Sequence, residues 1–125
     1  MAGLLGIDYT MPKSYNLSKA PKGIRLITIS RSWVSYTAKA ICGCNGDVFE
    51  FSVSVMLKSS DVYSTVSLNG SFNTGSYGLY VDSTGVYLVC KNTSGVNDNF
   101  IISSTSQVEV LSSVDTTSMT DITPT

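Results

Sequence analysis

The side chains that most often carry catalysis are scarce in this chain. It has no histidine among its 125 residues, which removes the commonest general base, the commonest metal ligand and the usual partner of a nucleophilic serine or cysteine. Carboxylates would have to serve instead. Asp47, Asp82 and Asp98 stand in expected turns, where a short carboxylate hydrogen-bonds nearby backbone, and Glu50 and Glu109 fall on the outward positions of expected strands. The linear sequence offers no pair that would converge across a glycosidic bond. Asp82-Ser-Thr-Gly85 is one residue too long for the Asp-Ser/Thr-Gly of an aspartic protease.

The metal-binding inventory is equally thin. Cys42 and Cys44 on one strand would point the same way about 6.5–7 Å apart, too far for an unstrained mutual bridge. With Cys90 they make three thiols and no imidazole, one ligand short of structural zinc. They are read as small apolar residues. Asn97-Asp98-Asn99 carries oxygen ligands but lacks the spaced acids of a calcium loop, and reads as a turn. No catalytic residue, no metal and no cofactor is expected, and the protein is expected not to be an enzyme. What remains is contact chemistry. Tyr63, Tyr77, Tyr80 and Tyr87 fall in four consecutive extended segments, and a tyrosine pairs a broad apolar face with a hydroxyl, which suits sugar stacking and subunit interfaces alike. These four are the candidate ligand or interface surface.

The elements that must position them are strands. Serine and threonine number 34 and valine 13, and no run has the composition of a normal helix, so the polar groups are short hydroxyls suited to sheet surfaces. Ile24–Ser30 and Val34–Cys42 alternate with period two, and the small Ala38 and Ala40 call for a bulky partner such as Trp33 or Phe49. Asn45-Gly46 fits a type I′ hairpin turn, after which Phe49, Phe51, Val53, Val55 and Leu57 share the core face of the clearest strand. Each could contribute on the order of 1.5–3 kcal/mol on burial, before entropy is charged against it. Further strands read over Val62–Leu68, Tyr77–Asp82, Gly85–Lys91, Phe100–Ser103 and Gln107–Leu111, with loops over 69–75 and 92–99. The expected fold is all-β: a single antiparallel β-sandwich or small barrel of about seven or eight strands over residues 24–111.

Two arms flank that unit. Residues 1–23 hold Pro12, Pro21 and scattered apolar side chains without a steady period, as an extended arm would, and residues 112–125 read as a tail. Net charge is −1, but residues 1–40 carry six bases against Asp8 alone, while the remainder carries two bases against eight acids. The basic segment is therefore a candidate docking arm, represented by Leu4, Leu5, Ile7, Tyr9, Lys13, Tyr15, Lys19 and Lys22. Bases and aromatics are not interleaved as in a nucleic-acid platform, so no nucleic-acid partner is expected, and no membrane partner. Neither a signal peptide nor a stretch of 18 apolar residues is read in the sequence.

Tyr36-Thr-Ala-Lys-Ala-Ile-Cys42, the Asn45-Gly46 turn leading to Asp47-Val-Phe-Glu-Phe51, and Tyr77 through Lys91 together resemble the small β-sandwich head domains of bacteriophage tail and head fibres and related virion appendages. The resemblance covers residues 24–111 and rests on style rather than on a diagnostic motif. It implies a non-enzymatic virion structural protein of fibre, tail or capsid-decoration type, assembled in the host cytoplasm. Such a protein would form a homo-oligomer, a trimer by preference, and dock on other virion proteins through its arms. The reading set beside it is a carbohydrate-binding or adhesin module with a glycan receptor.

Overall fold

In the computed structural model, residues 11–18, 23–44, 47–91 and 97–124 are described, and every strand pairing among them is antiparallel. The strands are β1 Lys13–Ser18, β2 Gly23–Thr28, β3 Ser35–Cys44, β4 Asp47–Lys58, β5 Asp61–Asn69, β6 Tyr77–Asp82, β7 Gly85–Cys90, β8 Asn97–Ser104, β9 Glu109–Leu111 and β10 Thr120–Asp121. They form two five-stranded sheets, in the orders β1-β8-β3-β4-β5 and β10-β6-β7-β2-β9. Neither sheet closes on itself, so the fold is a sandwich and not a barrel. No described residue is helical, and none lies in a helix long and apolar enough to cross a membrane.

Alternation decides which side chains meet between the sheets. On β4, Phe49, Phe51, Val53 and Val55 are buried and Leu57 is half-buried against them, while Val48 on the other face is 72% exposed. Cys44 lies opposite Asp47 and Gly43 opposite Val48, so β3 and β4 pair in the hairpin register that the sequence suggests. Asn45 and Gly46 themselves lie outside the described residues. Trp33 is not the bulky core residue: it is 61% exposed. The core aromatic from outside the strands is Phe72, in the expected loop after β5, whose ring lies 5.0 Å from Phe49 and 5.6 Å from Phe51. A polar-looking loop thus sends one large side chain inward.

The expected simple alternation in β2 is interrupted. Its register against β7 shifts between Arg25 and Ile27, a bulge that turns both Leu26 and Ile27 into the core along with Ile24. The shift also brings the Ile27 carbonyl against Gly85, in the space that any side chain at that position would fill.

The sandwich extends past both expected boundaries. Lys13–Ser18, expected in the arm, is the edge strand β1, and Asn97-Asp98-Asn99, expected in a turn, is the start of β8 that pairs with it. Leu17 is fully buried there. At the other end the expected tail is held in place. Thr120 and Asp121 pair with β6, the Ile122 amide donates to the Leu79 carbonyl at 2.8 Å, and the Leu79 amide donates to Thr123 Oγ1 at 2.9 Å. Val114 packs where a side chain on Gly23 would stand. Such segments offer no periodic signal because their strands are short, six residues in β1 and two in β10, and are flanked by proline or hydroxyls.

Two expectations follow. Gly85→Ala should lower stability by about 3 kcal/mol in denaturant unfolding, because the added methyl meets backbone that the β2 bulge holds in place. The C-terminal strand should loosen in acid. The Asp121 carboxylate accepts from the Thr123 hydroxyl first and its amide second, and both bonds hold its pKa below the ordinary value. A lowered folded-state pKa stabilises above the unfolded value, so the contribution is lost as pH falls below about 4. Hydrogen exchange at Ile122 should accelerate over that window, and Asp121→Asn should flatten the dependence. An exchange rate that follows only the intrinsic chemistry would contradict this.

Candidate functional site

The two sheets differ in what they leave uncovered. In the sheet containing β7 all six residues of that strand are buried, so both of its faces are covered. Tyr77 and Tyr87 go with them: Tyr77 is 0% exposed, Tyr87 is buried, and Tyr80 is half-buried. The Tyr77 hydroxyl donates to the buried Asp98 carboxylate between the sheets, and its ring meets Phe100 edge-on at 5.1 Å. The other Asp98 oxygen has no hydrogen-bond partner among the described residues. A carboxylate so placed depends on that one phenol, since a buried charge without a partner is strongly destabilising. This is a structural arrangement within the core rather than a surface for a ligand. Of the four candidate tyrosines only Tyr63 stands well exposed, at 51%.

Tyr63 belongs to the outer face of the β1-β8-β3-β4-β5 sheet, which no described residue covers. This face carries alternate residues of every strand, and Ser and Thr are the commonest among them. Ser54 donates to Thr37 Oγ1 at 3.3 Å, and Thr37 in turn donates to the Val53 carbonyl at 3.2 Å, so side chains satisfy one another along the surface. Among the described residues the one ion pair on it is Lys39–Glu50, at 3.6 Å. Apolar side chains interrupt the hydroxyls: Ile41 and Ile101 stand opposite each other across the β3–β8 ladder, with Val48 opposite Gly43 beside them. Ile101 and Val48 are exposed.

A second apolar spot lies at the other end of the face. Ser35, Met56 and Tyr63 are in register across β3, β4 and β5, and with Ser54 and Thr65 they line a shallow groove of ≈ 380 Å³. Trp33 stands near it, with the Lys58 ammonium 5.5 Å from its ring centroid. The Trp33 amide donates to the Leu57 carbonyl at 2.7 Å and its φ is 67°, a left-handed conformation uncommon for a bulky residue. The preceding turn is anchored from below by Tyr36, whose hydroxyl accepts from the Ser30 amide at 3.3 Å and lies 3.2 Å from the Ser30 hydroxyl. Hydrogen bonding to Ser30, led by its side chain, holds the Tyr36 phenol below its ordinary pKa. Sequence reasoning offered Trp33 or Phe49 as the bulky partner of Ala38 and Ala40, and Phe49 is the buried one; the flanking Arg31-Ser32 and the break in alternation were the signals that Trp33 lies in an exposed turn.

The docking-arm residues divide. Lys13 is exposed and Tyr15 half-buried on β1, while Leu4, Leu5, Ile7, Tyr9, Lys19 and Lys22 lie outside the described residues. The described residues contain no cluster of three or more acids and thiols that could hold a metal ion.

The class of protein that these observations define is an antiparallel two-sheet β-sandwich with one face covered by its own chain and one left open. No known protein family matches the sequence, and no curated protein does. Two solved structures show partial likeness. One is WceF of Pantoea stewartii, described as a glycan biofilm modifying enzyme with a bacteriophage tailspike-like parallel β-helix fold: TM-score 0.45, 15% identity, 89% of this chain and 20% of that one. The other is the tailspike protein of Acinetobacter phage vB_ApiP_P1: TM-score 0.37, 15% identity, 81% of this chain and 20% of that one. This chain thus spans about a fifth of each, and at these scores the likeness carries no weight for its function. The strands described here form no parallel ladder, so the β-helix named for WceF is not the arrangement of this chain.

Because Trp33 is the single tryptophan, its fluorescence reports this end of the face alone. Tyr36→Phe should cost about 1 kcal/mol in unfolding free energy and make Trp33 emission more quenchable as the Ser30 anchor is lost. Unchanged stability and quenching would show that the phenol does not hold the turn.

Proposed function

We propose that this chain is a non-enzymatic structural module of virion-appendage type that works by contact, associating with further copies and with neighbouring proteins. The observation that carries the reading is the open face of the β1-β8-β3-β4-β5 sheet. It is broad, rich in hydroxyls, with Ser54 donating to Thr37 within the surface, and bears exposed Val48 and Ile101. Such a surface can be buried against another protein without leaving unpaired charge in the interface. The sequence resemblance to fibre and tail head domains supports the virion setting, and the basic composition of residues 1–40 supports docking on an acidic neighbour.

A second reading is favoured by one feature. Tyr63 and Met56 line a groove with hydroxyls around it and Trp33 nearby, which is the composition of a shallow saccharide-binding platform. Light scattering on the full chain over a range of concentrations, run beside a glycan panel, separates the two. The expected result is a mass that is a multiple of the 13.3 kDa chain. A chain that stays monomeric and binds a glycan, with binding abolished by Trp33→Ala or Tyr63→Ala, would overturn the contact reading in favour of the second.

A further inference from the structure

We propose that the outer edge of β5 is a self-association site, at which two copies of this chain pair their β5 strands antiparallel about a two-fold axis at Thr65. The inference rests on the contact reading above and names its partner and its surface.

An exposed sheet edge offers unpaired amides and carbonyls to any other strand, and proteins protect such edges with charge, proline, bulges or brevity. Three of the four edges here are protected. β1 follows Pro12 and opens with Lys13, β9 has three residues including Glu109, and β10 has two including Asp121. β5 is the exception. It runs nine residues, Asp61-Val-Tyr-Ser-Thr-Val-Ser-Leu-Asn69, without proline or bulge, and its one charge is at its first residue. No described strand pairs with its outer side.

The burial of β5 points the same way. Val62, Val66 and Leu68 face the core, yet all three remain only half-buried, because the sandwich ends at this strand. A strand laid alongside would cover them.

The strand is also complementary to itself. Antiparallel pairing centred on Thr65 sets Val62 against Leu68 of the partner and Ser64 against Val66 on the core side. On the outer side it sets Tyr63 against Ser67, Thr65 against Thr65, and Asp61 against Asn69. Apolar groups therefore meet apolar groups or a hydroxyl, and no like charges are opposed. All nine residues take part, and the contact is isologous, with the same patch used on both copies. Two five-stranded sheets would become one of ten strands, with the open faces continuous across the junction. An isologous edge contact builds a dimer; a trimer of the kind the resemblance implies needs a different, heterologous surface.

Thr65 is exposed on the outer face opposite Ser54, so a charged side chain there leaves the core untouched. The test uses full-length T65K and T65E, alone and mixed, with mass from light scattering and folding checked by circular dichroism. The wild-type chain is expected to have twice the 13.3 kDa chain mass. Each variant alone should associate about 10- to 100-fold more weakly, since it sets like charges directly across the axis. An equimolar mixture should recover dimers, because Lys then faces Glu. A wild-type oligomer unaffected by either variant overturns the β5 site while leaving the contact reading in place. A wild-type trimer likewise overturns it. A wild-type monomer also overturns the β5 site, and with it the self-association part of the contact reading.

Discussion

The parity of β4 governs the arrangement of the larger sheet. Phe49, Phe51, Val53 and Val55 must all point into the space between the sheets, and a slip of one residue would present Val48, Glu50, Ser52 and Ser54 there instead. From β4 the constraint is passed on by pairing. It fixes β3 on one side and β5 on the other; β3 then fixes β8, and β8 fixes β1. The hydroxyl face is a by-product of the same parity. Every strand that turns its apolar residues inward must turn the alternate ones out, and Ser and Thr are the commonest of those. The open surface and the core are thus two readings of one register.

The asymmetry between the sheets comes from the chain ends. Residues after β9 return to the second sheet, where Thr120–Thr123 bind the β6 edge and Val114 packs over Gly23. β1 adds to the first sheet at an edge without crossing its outer face. Coverage on one side and exposure on the other therefore follow from where short, irregular segments settle. In the covered sheet the Arg25 guanidinium donates to Glu109 across β2 and β9, while its buried Nε has no hydrogen-bond partner among the described residues.

How much of this was legible in the sequence varied with the length of the pattern. β4, β6 and β7 were readable to within a residue or so because alternation and a turn signal coincide, as at Asp82–Gly85, where the Thr84 amide donates to Asp82. The bulge in β2 was not, since a run of Ile and Leu looks the same with or without an extra residue. β1 and β10 were missed because six and two residues, flanked by proline or hydroxyls, do not establish a period. The tyrosines show the limit most clearly. Alternation places a side chain on one side of its own sheet, but whether that side is wet depends on what else lies over it. Tyr63 and Tyr87 have comparable local sequences and opposite fates. Trp33, one of two candidates for the bulky core position, shows the complementary case: large and apolar, it sits at a turn whose positive φ points it away from the core.

The order of strands also sets a schedule for folding during synthesis. β3, β4 and β5 are consecutive hairpin partners, as are β6 and β7, so both units can assemble as soon as they leave the ribosome. β1 and β2 come out first yet wait longest: β2 pairs with β7 and β9, and β1 with β8, near the opposite end of the chain. Between the completion of β5 at Asn69 and the emergence of β8 at Asn97 the nascent protein holds a three-stranded sheet whose β3 still lacks its β8 neighbour. That interval is when a chaperone would have the most to hold.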